Sequence, residues 1–415
     1  MKKFVIADPS LIDNRGHHFS LTQKVSNTVS KMGFETIWLT NERFERELVS
    51  DDCTICPTFS LCMYDMYKAD KNTDHIESCS ALLKTELLNI VRELELTGAD
   101  FLYFHTGFTD IYVAVEHLLQ SYPLDMLPSI HICTPYEPKS MPGWGGKNEI
   151  NMIIDGLLKA PSYETKLFLW CETLTLASYY TLTFERNVGA LPLSFIPMED
   201  SIQTSPESPL TILYLGAARE EKGFTLLPDI IEQLYEGFGQ AGLLKFVIQC
   251  TPQIVGYLPI IQSAISKLEK YPKEYVNLIR HNLSNDEYHS ELESSDVVLL
   301  LYNKTNYKLR GSGIAVEAIS GSKIILTHKD TFCASLITHG GGVAVDDKDG
   351  AVDAIKDILK EKAAYKSKAA RQSEHYKKYN SMENYVRRIV LRGSPQTSPK
   401  FMPNAIIGKC VKQLL

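Results

Sequence analysis

The sequence predicts an α/β protein built from two doubly wound domains. Three observations carry this expectation. Apolar runs of strand length alternate with amphipathic helical stretches along most of the chain. The alternation is broken at 198–209, where Ser, Pro, Glu and Asp are enriched as they are in linkers. The 415 residues also exceed what one core organises, because a domain usually takes roughly 100 to 200 residues. The expected division is an N-terminal domain at 1–200, a C-terminal domain at 201–375, and a helical segment and tail at 376–415.

In the first half, 4–7 is an apolar run followed by Asp8-Pro9 and a polar loop with Gly16, and 19–32 has apolar residues at helical spacing. Gly33 stands where a helix C-terminus favours glycine, and 34–39 supplies a second strand, so the opening is a βαβ unit and the sheet is expected to be parallel. The pattern is lost over 40–73, which reads as an irregular insertion. A helix at 76–96 closes at Gly98 before a strand at 101–104, with His105-Thr106-Gly107 at its C-terminal end. Alternation continues through 111–119, 129–133, 150–158, 167–170 and 172–182, and 191–197 resembles a last strand. The Pro- and Gly-rich stretch 134–147, with Trp144, reads as a loop at the mouth of a cleft and a candidate acceptor site.

A second alternating series begins after the linker. Strands are expected at 211–215, 245–249, 276–279, 297–301, 323–326 and 342–345, and helices at 226–237, 260–269, 314–319 and 351–359. The stretch 360–392 is long, charged and helical, and Gly393-Ser394-Pro395 breaks it.

Composition narrows the function. A net charge of -7 with interspersed charges argues against a nucleic-acid partner. The longest apolar run, near 297–302, is far shorter than the roughly 18 residues a membrane span requires. The short apolar start before Asp8 does not read as a signal peptide, and nine scattered cysteines fit reduced thiols, so the expected location is cytoplasmic.

The residues suited to chemistry lie at strand ends, where parallel sheets bind ligands. Arg219 and Lys222 follow the strand 211–215 closely enough in sequence to reach the same phosphate oxygens. Gly311, Ser312 and Gly313 open a helix after another apolar run, leaving amides and the favourable end of the helix dipole for an anion. Glu317 lies one turn further on the same face, placed to accept hydrogen bonds from sugar hydroxyls. The ligand these residues suit is a diphosphate. Read blandly, the same residues are surface charges, a turn and a solvent-facing glutamate.

The combination Gly216-x-x-Arg219-x-x-Lys222-Gly223, then Ser312-Gly313-Ile314-x-x-Glu317-Ala318 and Gly321-x-x-Ile324, resembles the donor-binding domain of GT-B glycosyltransferases, in particular glycosyltransferase family 4. Gly16-His17-His18 before the first helix, Gly33, and His105 after a strand are similar to that family's first domain. The resemblance spans about 4–358. It implies two Rossmann-like domains facing across a cleft, and transfer of a sugar from a nucleoside-diphosphate-sugar donor to an acceptor hydroxyl, with retention and without an essential metal or other cofactor. It implies that Arg219 and Lys222 hold the diphosphate, that Gly311 to Gly313 supply amides to it, and that Glu317 binds the donor ribose. It further implies that His105 faces the transferred sugar and that Gly16 leaves space for the donor. The partners are then a nucleotide sugar and a glycan, lipid-linked or protein acceptor.

This chain departs from the family pattern at Leu309, where a glutamate is common eight residues before Glu317, and at Ala217, where an arginine is common five residues before the lysine. These departures keep a catalytically silent homologue, acting as a binding or stabilising subunit, as an alternative, and a sugar-nucleotide epimerase of the same fold is another. A dinucleotide oxidoreductase is disfavoured because Gly-x-Gly-x-x-Gly is missing after the first strand. Cys53-x-x-Cys56 with Cys62, His75 and Cys79 could ligate zinc, but no second Cys-x-x-Cys follows and free thiols are the better reading. Asp347-Lys348-Asp349 precedes a helix and reads as a cap, and His17 and His18 are either cleft-lining or merely exposed.

Overall fold

Strands such as Phe101–Phe104 and Val297–Leu300 are buried at every position, as expected of parallel strands covered on both faces. The computed structural model describes residues 1–14, 16–46, 53–63, 73–141, 147–193, 208–251 and 258–392. The chain divides into two compact units, Met1–Pro192 with Met382–Leu415, and Leu193–Ser381. Each is a Rossmann-like, doubly wound parallel sheet with interleaved helices. Among the described residues no helix is long and apolar enough to cross a membrane.

The first unit contains β1 (Lys3–Ala7), β2 (Glu35–Asn41), β3 (Thr54–Phe59), β4 (Phe101–Phe104), β5 (Ser129–Thr134), β6 (Leu167–Cys171) and β7 (Gly189–Ala190), in the order β3-β2-β1-β4-β5-β6-β7. The chain winds outward from β1 and then returns to β1's other side for β4, so the sheet's topological switch lies between these two strands. Ile6 pairs with Tyr103 in this ladder, and continuing the register brings Asp8 level with His105 beyond the strand ends.

The second unit contains β8 (Leu210–Tyr214), β9 (Leu244–Gln249), β10 (Val276–Ile279), β11 (Val297–Leu300), β12 (Ile324–His328) and β13 (Gly342–Val345), ordered β10-β9-β8-β11-β12-β13. Its switch lies between β8 and β11. At the opposite end of these strands Asp296 accepts the Thr211 amide at 3.0 Å and pairs with Lys362 at 3.1 Å and Lys366 at 2.7 Å. Burial by itself would raise the Asp296 carboxyl, but the two lysines and the amide outweigh it and hold it below its usual range.

Several expectations are corrected. The insertion expected at 40–73 contains β3, an edge strand whose Pro57 is tolerated because one side of the strand has no neighbour to bond. The first helix is Gly16–Lys31, three residues earlier at its start than the spacing suggested, so His17 and His18 belong to its first turn. The described part of 191–197 contains no strand. The long helical stretch expected at 360–392 is divided into two helices, Lys362–Tyr379 and Met382–Arg392. The last of these packs on the first unit, where Tyr385, Val386 and Ile389 join the core around Phe4, Ile6 and Tyr103. Arg392 lies over the rings of Trp170 at 5.0 Å and Phe168 at 5.9 Å. The cap at Asp347 is present, its side chain accepting the Gly350 amide at 2.8 Å.

The loops after β8 and β11 are fastened to each other. Gly223 has φ +80°, and a Cβ there would meet the Leu301 carbonyl oxygen at 2.2 Å. Gly223→Ala should therefore lower the unfolding free energy measured in urea by about 2 kcal/mol or more, from backbone strain and the clash. Gly313→Ala, whose methyl would meet nothing within 4 Å, should change it by less than about 0.5 kcal/mol.

Candidate functional site

In the second unit, β8 ends at Tyr214 and the chain turns through Gly216, whose φ is +104°. A Cβ on Gly216 would lie 2.9 Å from the Lys222 Nζ, so the missing side chain is what lets the ammonium fold back against the strand end. Lys222 Nζ also sits 5.8 Å from the centre of the buried Tyr302 ring, which follows β11. Arg219 and Arg310 converge on one carboxylate: their Nη1 atoms lie 3.3 Å and 3.9 Å from Glu221 Oε1. The other oxygen of Glu221 accepts from Asn306 Nδ2 at 3.2 Å, and its main-chain carbonyl accepts the Asn303 amide at 2.8 Å. Glu221 thus ties the loop after β8 to the loop after β11.

Three cations face one carboxylate here. Burial, and then repulsion from Arg219 and Arg310, brings the Lys222 amine down to about 8. Arg219 Nε is buried without a hydrogen-bond acceptor. A donor in that state, beside half-buried positive charge, is what an arriving anion would satisfy.

The expected helix start is also present. Ser312 caps the helix Gly313–Ser320, its hydroxyl accepting the Ala315 amide at 3.3 Å, and the Tyr302 hydroxyl lies 3.4 Å from the same oxygen. Gly313 opens onto space where a side chain would meet nothing within 4 Å. Glu317, one turn on, is half-buried and accepts a close hydrogen bond from the Tyr288 hydroxyl, so its carboxylate is held in one orientation. Leu309 lies half-buried in the same loop, next to Arg310. The structure brings Arg219, Lys222 and the Gly311-to-Glu317 segment to one end of adjacent strands.

In the first unit, the residue after β1 and the residue after β4 meet. Asp8 Oδ2 lies 2.6 Å from His18 Nδ1 and 3.0 Å from His105 Nε2, while Asp8 Oδ1 accepts the Ser10 amide at 2.9 Å. His105 Nε2 is also 3.1 Å from Thr22 Oγ1, and its Nδ1 is 2.9 Å from Thr106 Oγ1. Burial alone would raise the Asp8 carboxyl, but the two histidines together outweigh it and hold it well below the usual carboxylate range. His17 packs its ring 4.0 Å from that of His18, and Gly16 begins the helix that carries both.

Asp8, His18 and His105 could also gather a cation, since one ligand atom from each lies within 4.8 Å of the others. Cys53, Cys56 and Cys62 are not joined in disulfides, while the side chains of His75 and Cys79 and residues 142–146 of the proline- and glycine-rich loop lie outside the described residues. Sequence reasoning did not select Arg310, Glu221 or Asp8. Arg310 directly precedes the glycine turn and could have been chosen by its charge; Glu221 and Asp8 acquire meaning only from contacts distant in sequence.

Two doubly wound units of this kind are the domains of the GT-B class of fold. No family model and no curated protein sequence matches this chain. Solved structures do match it in fold. Sucrose-phosphate synthase from Thermosynechococcus elongatus superposes with a TM-score of 0.65 at 11% identity, covering 100% of this chain and 99% of that one. The UDP-forming α,α-trehalose-phosphate synthase from Burkholderia xenovorans gives 0.69 at 12% identity, covering 95% and 99%. A trehalose-6-phosphate structure from E. coli bound with UDP-2-fluoro glucose gives 0.66 at 13% identity, covering 96% and 100%.

Lys222 supplies a pH test of the basic cluster. It carries its charge below about 8 and loses it above. Affinity for an anion such as sulfate, measured by titration calorimetry, should therefore fall as pH rises through that value. Arg310→Gln removes a like charge, so it should move the fall to higher pH. Affinity independent of pH across this range would contradict the arrangement.

Proposed function

We propose that this chain is a glycosyltransferase that moves a sugar from a nucleoside-diphosphate sugar to an acceptor hydroxyl, with the donor diphosphate held by the second unit. The observation that carries this reading is the convergence of Arg219, Lys222 and Arg310 beside the open helix start at Gly313. Such a site suits a diphosphate better than a single anion, because separate cations and amides can each take a different phosphate oxygen. During transfer the leaving diphosphate gains negative charge, and the fixed cations stabilise that charge more than they stabilise the bound donor. With this much positive charge supplied by side chains, the reaction needs no metal at the diphosphate, and we assign it retention of anomeric configuration. Glu317, oriented by Tyr288, binds ribose hydroxyls.

One solved structure of this fold is a UDP-forming synthase and another holds UDP-2-fluoro glucose, which supports UDP-sugars as the first donors to test. The acceptor is a glycan, a lipid-linked sugar or a protein.

Release of nucleoside diphosphate from a panel of nucleotide sugars, with product configuration read by NMR, tests this. Lys222→Ala should lower turnover roughly 10²- to 10³-fold, as loss of a group stabilising developing charge does. Glu317→Ala should weaken donor binding about tenfold. Near-normal activity in both variants would overturn the assignment. Binding of the nucleotide without turnover of any sugar would instead identify a silent homologue.

A further inference from the structure

We propose that Glu221 is a specificity-determining residue of the basic cluster: its carboxylate, set among Arg219, Lys222 and Arg310, matches the site to a diphosphate esterified at both ends and disfavours the more highly charged nucleoside triphosphates. The ligand class rests on the glycosyltransferase reading; the selection by charge does not.

Three cations and one carboxylate leave the cluster with two formal positive charges. The diphosphate of a sugar nucleotide, esterified at both ends, carries one negative charge on each phosphate and balances them. A nucleoside triphosphate carries more, and its surplus meets a site whose cations are already matched. Discrimination of this kind needs a repulsive element as well as an attractive one, and Glu221 is the acidic side chain that contacts these arginines. Without it, three cations would favour whichever polyphosphate carries the most charge.

Contacts that do not need its charge hold Glu221 in place. Its main-chain carbonyl accepts the Asn303 amide at 2.8 Å, and Oε2 accepts from Asn306 Nδ2 at 3.2 Å. The cationic contacts are looser. Oε1 meets single nitrogens at 3.3 Å and 3.9 Å, and the side chains of Arg219, Glu221 and Arg310 are 26%, 30% and 39% exposed. A two-nitrogen fork would mark a strong structural pair, whereas here Arg219 Nε stays buried without an acceptor. The carboxylate therefore lowers the positive potential of the cluster without using up its donors. Lys222 registers the same field: burial and then both arginines bring its amine down to about 8, and Glu221 is the leading charge that opposes them.

Ligand charge multiplies the potential it meets, so removing one negative charge from the site strengthens binding most for the anion of highest charge. The test is titration calorimetry of inorganic pyrophosphate and tripolyphosphate against the full chain, in buffer free of divalent cations and below the pH at which Lys222 loses its charge. The wild type is compared with Glu221→Gln, Glu221→Asp and Glu220→Gln. Glutamine keeps the length of the side chain and an acceptor for Asn306, aspartate keeps the charge, and the exposed Glu220 controls for the same charge change one residue away. Both anions should bind more tightly to Glu221→Gln, and the preference for tripolyphosphate over pyrophosphate should rise roughly 3- to 30-fold. Glu221→Asp and Glu220→Gln should keep the wild-type preference. A preference unchanged or lowered in Glu221→Gln, an equal rise in Glu220→Gln, or no binding of either anion by the wild type would each overturn the proposal. The expected change in preference with no turnover of any nucleotide sugar would defeat the proposed function and leave the charge selection standing; normal turnover with an unchanged preference would do the reverse.

Discussion

The second unit's site depends on a tie between two loops that are about eighty residues apart in sequence. The Glu221 carbonyl accepts the Asn303 amide, and Gly223 approaches the Leu301 carbonyl so closely that no side chain fits. Because β8 and β11 are neighbours across the sheet's switch, this contact converts two independent strand ends into a single surface. Arg219 and Lys222 arrive from one loop and Arg310 and the Ser312 cap from the other. Without the tie the same residues would be ordinary surface charges of little energetic consequence.

Charge is balanced differently in the two units. In the second, Glu221 is the internal counter-ion of Arg219 and Arg310, which lets the free protein tolerate crowded cations while Lys222 is partly relieved by a lowered pKa. An anion completes that balance. In the first unit the anion is already present as Asp8, and two imidazoles are arranged around it with threonine hydroxyls behind them. The second unit's surface is the one that suits added negative charge.

Most of the fold was legible because burial on both faces leaves a direct trace: Val297 to Leu300 and Phe101 to Phe104 are strands in sequence and in structure. The edge strand β3 was not, since Thr54, Pro57 and Thr58 break the apolar pattern that central strands must keep. The split of the C-terminal helices near Ser381 left little trace, as helix-favouring residues continue on both sides of it. The basic loop and the Ser312 helix start were legible by residue type and spacing. Glu221 was not, because a glutamate between Glu220 and Lys222 reads as solvated charge until its partners on the other loop are known. Asp8 likewise reads as a strand end until β1 and β4 are placed side by side.

The central claim is that the loops after β8 and β11 form one site for a nucleoside diphosphate. Titration calorimetry of UDP, GDP, ADP and TDP against the full chain at a pH just above the Lys222 value tests it most directly. The account predicts that at least one of them binds once per chain and that binding takes up a proton, because the anion restores the Lys222 charge. Absence of binding by all four, or binding that is unaffected when Arg219 and Lys222 are both replaced by Ala, would contradict it.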